Sequence, residues 1–222
     1  MAARSAKAIV IVTGGDPVPA AAAVLVPEGA LVVAADSGID HALALGLTVD
    51  VAVGDFDSVS ANGLEAVTAS GALVERHPQA KDATDLELAL DVALALRPGR
   101  LLVLGGHGAR LDHLLANALL LGGPALADVE VVAQMGTARV TVVRHEATLR
   151  GRPGDLLSLI PVHGTAVGVV TDGLRYPLRD EDLPPATSRG VSNELIGTEA
   201  TVALRAGTLL AVQPLSEPTP DP

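Results

Sequence analysis

Residues 54–58, GDFDS, place two carboxylates two positions apart where an apolar run ends. On an extended backbone such residues point to the same side, so Asp55 and Asp57 converge. Like charges that close repel, and without a cation one of them tends to stay protonated. A divalent ion removes that cost, and Mg²⁺ characteristically takes one or two carboxylates together with substrate phosphate oxygens. The competing reading is local: Asp57-Ser58 caps the next helix, with Gly54 and Asp55 forming a turn.

Three further stretches carry comparable chemistry. KDATDLELAL (81–90) sets Asp82 and Asp85 three apart on one helix face with Lys81 alongside, although Thr84-x-x-Glu87 also fits a capping box. GGHGARLDHLLAN (105–117) has glycines that let backbone amides approach an anion at a helix start, and Arg110 offers a planar fork for phosphate. Its spacing is not the dinucleotide fingerprint, and Asp112 and His113 also read as plain first-turn residues. Asp36-Ser37-Gly38 follows another apolar run, where the acid suits a ribose, a metal or a helix cap. The six histidines show no metal-ligand spacing and read as surface or loop residues, His107 and His113 standing apart only by location. Ser37 and Ser58 lack the context of a nucleophile elbow.

The elements that must position these residues follow from periodicity. Ala8–Val12, Leu31–Ala35, Val49–Val53, Leu73–Val74, Leu101–Leu104 and Val129–Ala133 read as strands. Between them, Leu86, Ala89, Leu90, Ala93 and Leu94, then Leu111, Leu114, Leu115, Ala118 and Leu119, form apolar faces at helical spacing. This alternation predicts an α/β domain with a mostly parallel, Rossmann-like sheet over residues 1–136, whose ligands sit beyond the carboxyl ends of the strands. All four polar stretches emerge at that edge. From residue 137 short apolar segments alternate with Gly- and Pro-rich turns, which predicts an antiparallel β-sandwich over 137–215. Residues 179–190 read as a long ordered loop, and 216–222 as a disordered tail.

Composition narrows the classes. The 222-residue chain is 49% hydrophobic yet has one Phe, one Tyr and no Trp, so its core must be built from Ala, Val and Leu. A net charge of -11 argues against a nucleic-acid surface. With no Cys, disulfides, zinc-thiolate sites and thiol catalysis are excluded. The apolar run after Arg4 and Lys7 is too short for a signal segment or a membrane span, so a cytoplasmic, membrane-free protein is expected.

In order and spacing, ADSG (35–38), GDFDS (54–58), KDATD (81–85), GGHGARLDH (105–113) and Ser192-Asn193 resemble the thiamine pyrophosphokinase family. The resemblance implies transfer of a pyrophosphoryl group from ATP to the hydroxyl of thiamine, giving thiamine diphosphate and AMP. It implies Mg²⁺ held by Asp55, Asp57, Asp82 and Asp85, with Arg110 and Asp112 completing the catalytic set. ATP would be met by Asp36, Ser37, Lys81, Thr84, Arg110 and Asn117. Thiamine would be met by Ser192, Asn193 and Tyr176, the last standing where eukaryotic members carry a tryptophan. A homodimer with the site at the subunit interface is also implied. ADSG replaces the more usual ADGG, and Tyr176 reads equally as an ordinary strand residue. The competing functions are a pyrophosphokinase for another hydroxymethyl heterocycle, such as a pterin, and a non-catalytic nucleotide- or thiamine-binding module.

Overall fold

The computed structural model describes residues 8–78 and 83–215; Lys81, Asp82 and the tail from Ser216 lie outside them. The chain divides into two compact units. One runs through Leu120 and resumes at Asp128–Gly136, and the other takes Leu121–Ala127 and resumes at Thr137.

The first unit is built on six strands: β1 (Ala8–Val12), β2 (Leu31–Ala35), β3 (Val51–Gly54), β4 (Leu73–Arg76), β5 (Arg100–Leu104) and β6 (Glu130–Met135). Their order is β4-β3-β2-β1-β5-β6, and every adjacent pair is parallel. Central strands of such a sheet are covered on both faces and therefore read as unbroken Val/Ile/Leu runs rather than alternating ones. Accordingly β1 is AIVIV and β2 LVVAA, each fully buried after its first residue. The strand predicted at Val49–Val53 starts at Val51, because Asp50 turns its carboxylate onto the Val32 amide at 2.8 Å.

Four helices connect these strands: α1 (Gly38–Ala44), α2 (Ala61–Ala69), α3 (Asp85–Ala95) and α4 (Leu111–Leu121). The α3 face predicted from spacing is buried at Leu86, Ala89, Leu90 and Ala93, and it packs against β1, β2 and β3. The face predicted for α4 is a correction. Leu111, Leu115 and Leu119 are exposed, and the helix instead buries Asn117 and Leu121. LDHLLANALLL offers leucine on nearly every side, so apolar spacing alone does not select the inward face.

Glycine spacing at α1 has a direct steric reason. A Cβ on Gly38 would collide with the Val12 carbonyl, so only glycine lets the start of α1 approach the end of β1 this closely.

The second unit contains β7 (Ala138–Val143), β8 (Glu146–Arg150), β9 (Leu156–Asp172), β10 (Arg179–Leu183), β11 (Asn193–Glu194), β12 (Glu199–Ala203) and β13 (Ala206–Pro214). Every pairing within it is antiparallel. Where short segments separated by turns are expected, β9 is one 17-residue strand, which bends at His163 and Gly164, both with positive φ. One end of β9 pairs with β13 and β11, the other with β12 and β10. The loop predicted at 179–190 is corrected at its start: RDEDL forms β10, a polar strand bulged at two points. The core of this unit is aliphatic throughout, centred on Leu157, Leu159, Leu178, Leu183 and Leu209. No helix among the described residues is long and apolar enough to cross a membrane.

Candidate active site

Strand order reverses between β1 and β5, since β2, β3 and β4 lie to one side of β1 and β5 and β6 to the other. At such a reversal the loops leaving the two strands diverge and open a crevice beyond their carboxyl ends. A cleft of about 550 Å³ lies there, lined by the loops after β1, β2, β3 and β5 and by the start of α3.

The loop after β5 is shaped by Gly105 and Gly106, which take φ of 96° and 77° and so need no Cβ. Gly106 N–H donates to Gly14 O at 2.9 Å, tying this loop to the one after β1. Asn117 reaches back from α4 and donates its amide to Gly106 O at 3.0 Å. Its side chain, expected to meet ATP, thus fixes the glycine turn while also lining the cleft. Thr13, Gly14, Gly15 and Asp16, which follow β1 and to which the acidic stretches do not point, all line the cleft as well. Two adjacent glycines after a buried strand were the available signal. Asp16 N–H donates to His107 O at 2.8 Å, so His107 is bound into the same frame.

The capping readings of Asp36 and Asp57 both fail. Helix α1 begins after Ser37, and α2 is capped by Ser60, whose hydroxyl accepts from Gly63 N–H at 3.0 Å. Ser60 is itself held by Asp40, which accepts from its amide at 2.8 Å and its hydroxyl at 2.5 Å. Asp36, Asp55 and Asp57 each bring one carboxylate oxygen within 4.8 Å of the others. Asp36 is buried, with φ of 47°, and its Oδ1 has no hydrogen-bond partner. Burial raises its pKa above the ordinary 3.8, and the charges of Asp85 and Asp55 push the same way, while backbone amides of Ser37 and Ser58 pull it back. A buried carboxylate oxygen without a donor, beside two more acids, is an all-oxygen set suited to a hard divalent cation.

Asp36, predicted among ATP contacts, joins Asp55 and Asp57, whereas Asp85 lines the cleft without belonging to that group. Asp82 and Lys81 lie outside the described residues. Thr84 does cap α3, its hydroxyl accepting from Glu87 N–H at 3.2 Å, and it also faces the cleft with Ser37. Arg110 lines the cleft, but its fork is closed on Asp112, with Nε and Nη2 donating to the two carboxylate oxygens at 2.9 and 2.6 Å.

In the second unit Tyr176, Ser192 and Asn193 are brought together. Asn193 is buried; its Oδ1 accepts from Tyr176 N–H at 3.0 Å and its Nδ2 donates to Tyr176 O at 2.7 Å. This side chain, expected to contact thiamine, spends its polar atoms on the backbone that carries Tyr176. The Tyr176 ring is about half exposed, with the Arg175 guanidinium 5.8 Å from its centroid. Ser192 is exposed at φ of 57°.

The family model described as the thiamin pyrophosphokinase catalytic domain matches residues 23–133, half of the chain, and the one described as the vitamin B1 binding domain matches 141–209. The chain belongs to the thiamin pyrophosphokinase family. It is an enzyme of that kind. A curated thiamine pyrophosphokinase from Bacillus subtilis (strain 168) is 26% identical over 188 residues, covering 84% of this chain and 88% of the relative. The crystal structure of thiamine pyrophosphokinase from Bacillus subtilis superposes with a TM-score of 0.83 at 28% identity, covering 95% of this chain and 100% of that one. Yeast thiamin pyrophosphokinase shares the fold at 14% identity, with a TM-score of 0.73 over 96% of this chain and 87% of that one. Along this chain, Asp36 to Asn117 fall within the catalytic match, and Tyr176, Ser192 and Asn193 within the vitamin B1 match.

Proposed function

We propose that this thiamin pyrophosphokinase family member transfers the pyrophosphoryl group of ATP to the hydroxyl of thiamine, releasing AMP. The observation that carries the reading is the grouping of Asp55 and Asp57 with Asp36, which lines the cleft at the strand reversal and has one buried oxygen lacking any donor. Such a triad suits a Mg²⁺–polyphosphate complex. Bound there, Mg²⁺ would draw off negative charge from the phosphoryl oxygens as the alcohol attacks.

The chain's own residues then position and orient. Asp36, Asp55 and Asp57 hold the cation. Gly105, Gly106 and Gly108 bring backbone close to the phosphates at the entrance to α4, and Arg110, once released from Asp112, supplies a cation on the same rim. Thr84 and Asp85 form the opposite wall, with Lys81, Asp82, Ser37, Asp112 and Asn117 assigned to the same ATP-handling machinery. In-line approach of the alcohol to the β-phosphorus then requires orientation more than covalent help from the protein.

The α/β half serves ATP, and residues 137–215 serve thiamine as a sandwich domain, with Tyr176 offering a ring face to the cationic thiazolium and Ser192 and Asn193 shaping the pocket. Pairing of two chains across this site, as the family resemblance implies, suits the apolar side chains exposed on each unit, Leu111 and Leu115 on one and Tyr176 and Ile196 on the other. Light scattering tests the pairing; an active monomer rules it out. The protein is placed in the cytoplasm, where ATP is available.

The deciding experiment incubates purified protein with Mg²⁺, ATP and thiamine and separates the products by chromatography. Thiamine diphosphate and AMP in equal amounts, both dependent on Mg²⁺, are expected. ADP in place of AMP, or product formation undiminished by chelator, overturns the reading.

A further inference from the structure

Between Asp55 and Asp57 stands the chain's single phenylalanine, and it is held in an uncommon conformation. Phe56 has φ of 63°, in the left-handed region that bulky residues avoid, while its ring is buried in the core of the first unit. Because Phe56 lies between the two acids, its backbone angles set how far apart their carboxylates stand. Asp57 N–H donates to Asp55 Oδ1 at 3.2 Å across this turn.

Arg76 grips the turn from the neighbouring strand. It is the last residue of β4 and the register partner of Gly54 at the end of β3. Its Nη1 donates to Asp55 O at 3.0 Å, and its guanidinium carbon lies 4.8 Å from the centroid of the Phe56 ring. One side chain thus fixes the carbonyl just ahead of the strained residue and the ring of that residue. A planar guanidinium can do both at once, donating in its plane and stacking with its face, which a lysine ammonium cannot.

We infer that Arg76 is a positioning residue for the divalent-cation site: by clamping Asp55 and Phe56 it holds the left-handed turn that sets Asp55 and Asp57 together. This rests on the reading of those acids as cation ligands. Losing a partner that orients a metal ligand typically weakens metal binding by about 10–100-fold. A role as bare positive charge predicts the opposite sign, since removing a cation beside the site would tighten binding of another.

Mn²⁺ binding, read directly by electron paramagnetic resonance in the presence of a non-hydrolysable ATP analogue, separates these cases. Arg76→Ala is expected to weaken Mn²⁺ binding about tenfold, with Arg76→Lys recovering part of the loss because its ammonium can still donate to the Asp55 carbonyl. Circular dichroism is expected to show both variants folded, because Arg76 is exposed and outside the core. Mn²⁺ bound as tightly as in the wild type, or more tightly, by Arg76→Ala overturns the inference. Asp57→Asn provides the separate check: if it binds Mn²⁺ like the wild type, the cation reading itself fails, whatever Arg76 does. Loss in Asp57→Asn with none in Arg76→Ala leaves the cation reading standing and removes only the clamp.

Discussion

Arg110 and Asp112 close a two-bond fork on each other at the entrance to α4, Nε to Oδ1 at 2.9 Å and Nη2 to Oδ2 at 2.6 Å. The guanidinium face that suits a phosphate is therefore engaged, and an incoming polyphosphate must compete with Asp112 for it. Both side chains are exposed, so this exchange carries no desolvation barrier of the kind buried pairs impose. Asp112→Asn is expected to lower KM for ATP, because the competitor is weakened, whereas Arg110→Ala is expected to lower kcat/KM by about 10²–10³. An unchanged KM in Asp112→Asn would show that the pair persists during turnover. While the pair is closed, the bond to Arg110 holds Asp112 well below the usual carboxylate range.

Asp36 behaves in the reverse sense. Burial raises its pKa above 3.8, so the folded state holds the proton more tightly than the unfolded chain does. Stability from this group is present below 3.8 and is lost as pH rises through the raised value; at neutral pH the metal-free protein carries the cost in full. Asp36→Asn is expected to raise the melting temperature of the metal-free protein at pH 7. The gain is expected to shrink toward pH 4. Added Mg²⁺ and ATP should stabilise the wild type and not the variant, and turnover should fall more than about 100-fold, beyond the usual cost of an outer-shell change. A variant that melts below the wild type at pH 7 contradicts the account.

Asp36 also marks how far the residues themselves could be read. Its place at a strand end was legible, because LVVAA is a buried parallel strand by composition alone. Which of its possible roles it fills was not, since that depends on Gly54 and Ser58 bringing the next loop against it, a contact between segments far apart in sequence. Strands β10 and β11 were missed for another reason. RDEDL and NE carry no apolar alternation and become strands only because β9 offers them unpaired backbone. On α4 the failure was one of contrast: where leucine occupies nearly every position, spacing shows that a helix exists without showing which face turns inward.

Asn193 and Tyr176 should separate cleanly under substitution. Asn193 is buried, and its Oδ1 accepts from both Tyr176 and Glu194 while its Nδ2 donates to Tyr176 O. Removing it strands backbone groups, at a cost of about 1–3 kcal/mol for the groups left unsatisfied. Asn193→Ala is expected to lower the melting temperature by several degrees and raise KM for thiamine. Tyr176→Ala, in contrast, removes a half-exposed ring and is expected to leave melting within about 0.5 kcal/mol of the wild type, as surface changes usually do, while raising KM for thiamine alone. Equal thiamine KM in wild type and Tyr176→Ala removes the ring from the substrate site.

Thr84 serves two masters, and a pair of substitutions tells them apart. Its hydroxyl caps α3 through Glu87 N–H at 3.2 Å, and the same residue lines the cleft next to Asp85. Thr84→Ser keeps the acceptor and should retain both melting temperature and rate. Thr84→Ala loses the cap, a cost of about 1 kcal/mol, and frees the first turn of α3 to fray. Since Asp85 is the first residue of that turn, fraying moves a carboxylate whose charge is felt by Asp36. The alanine variant is therefore expected to lose kcat more than its stability loss explains, with the deficit persisting at temperatures well below its melting point. Thr84→Asn decides the remaining question: as an equally good cap of different shape, it should restore melting in either case. It should restore kcat only if the hydroxyl acts through the helix rather than on the nucleotide.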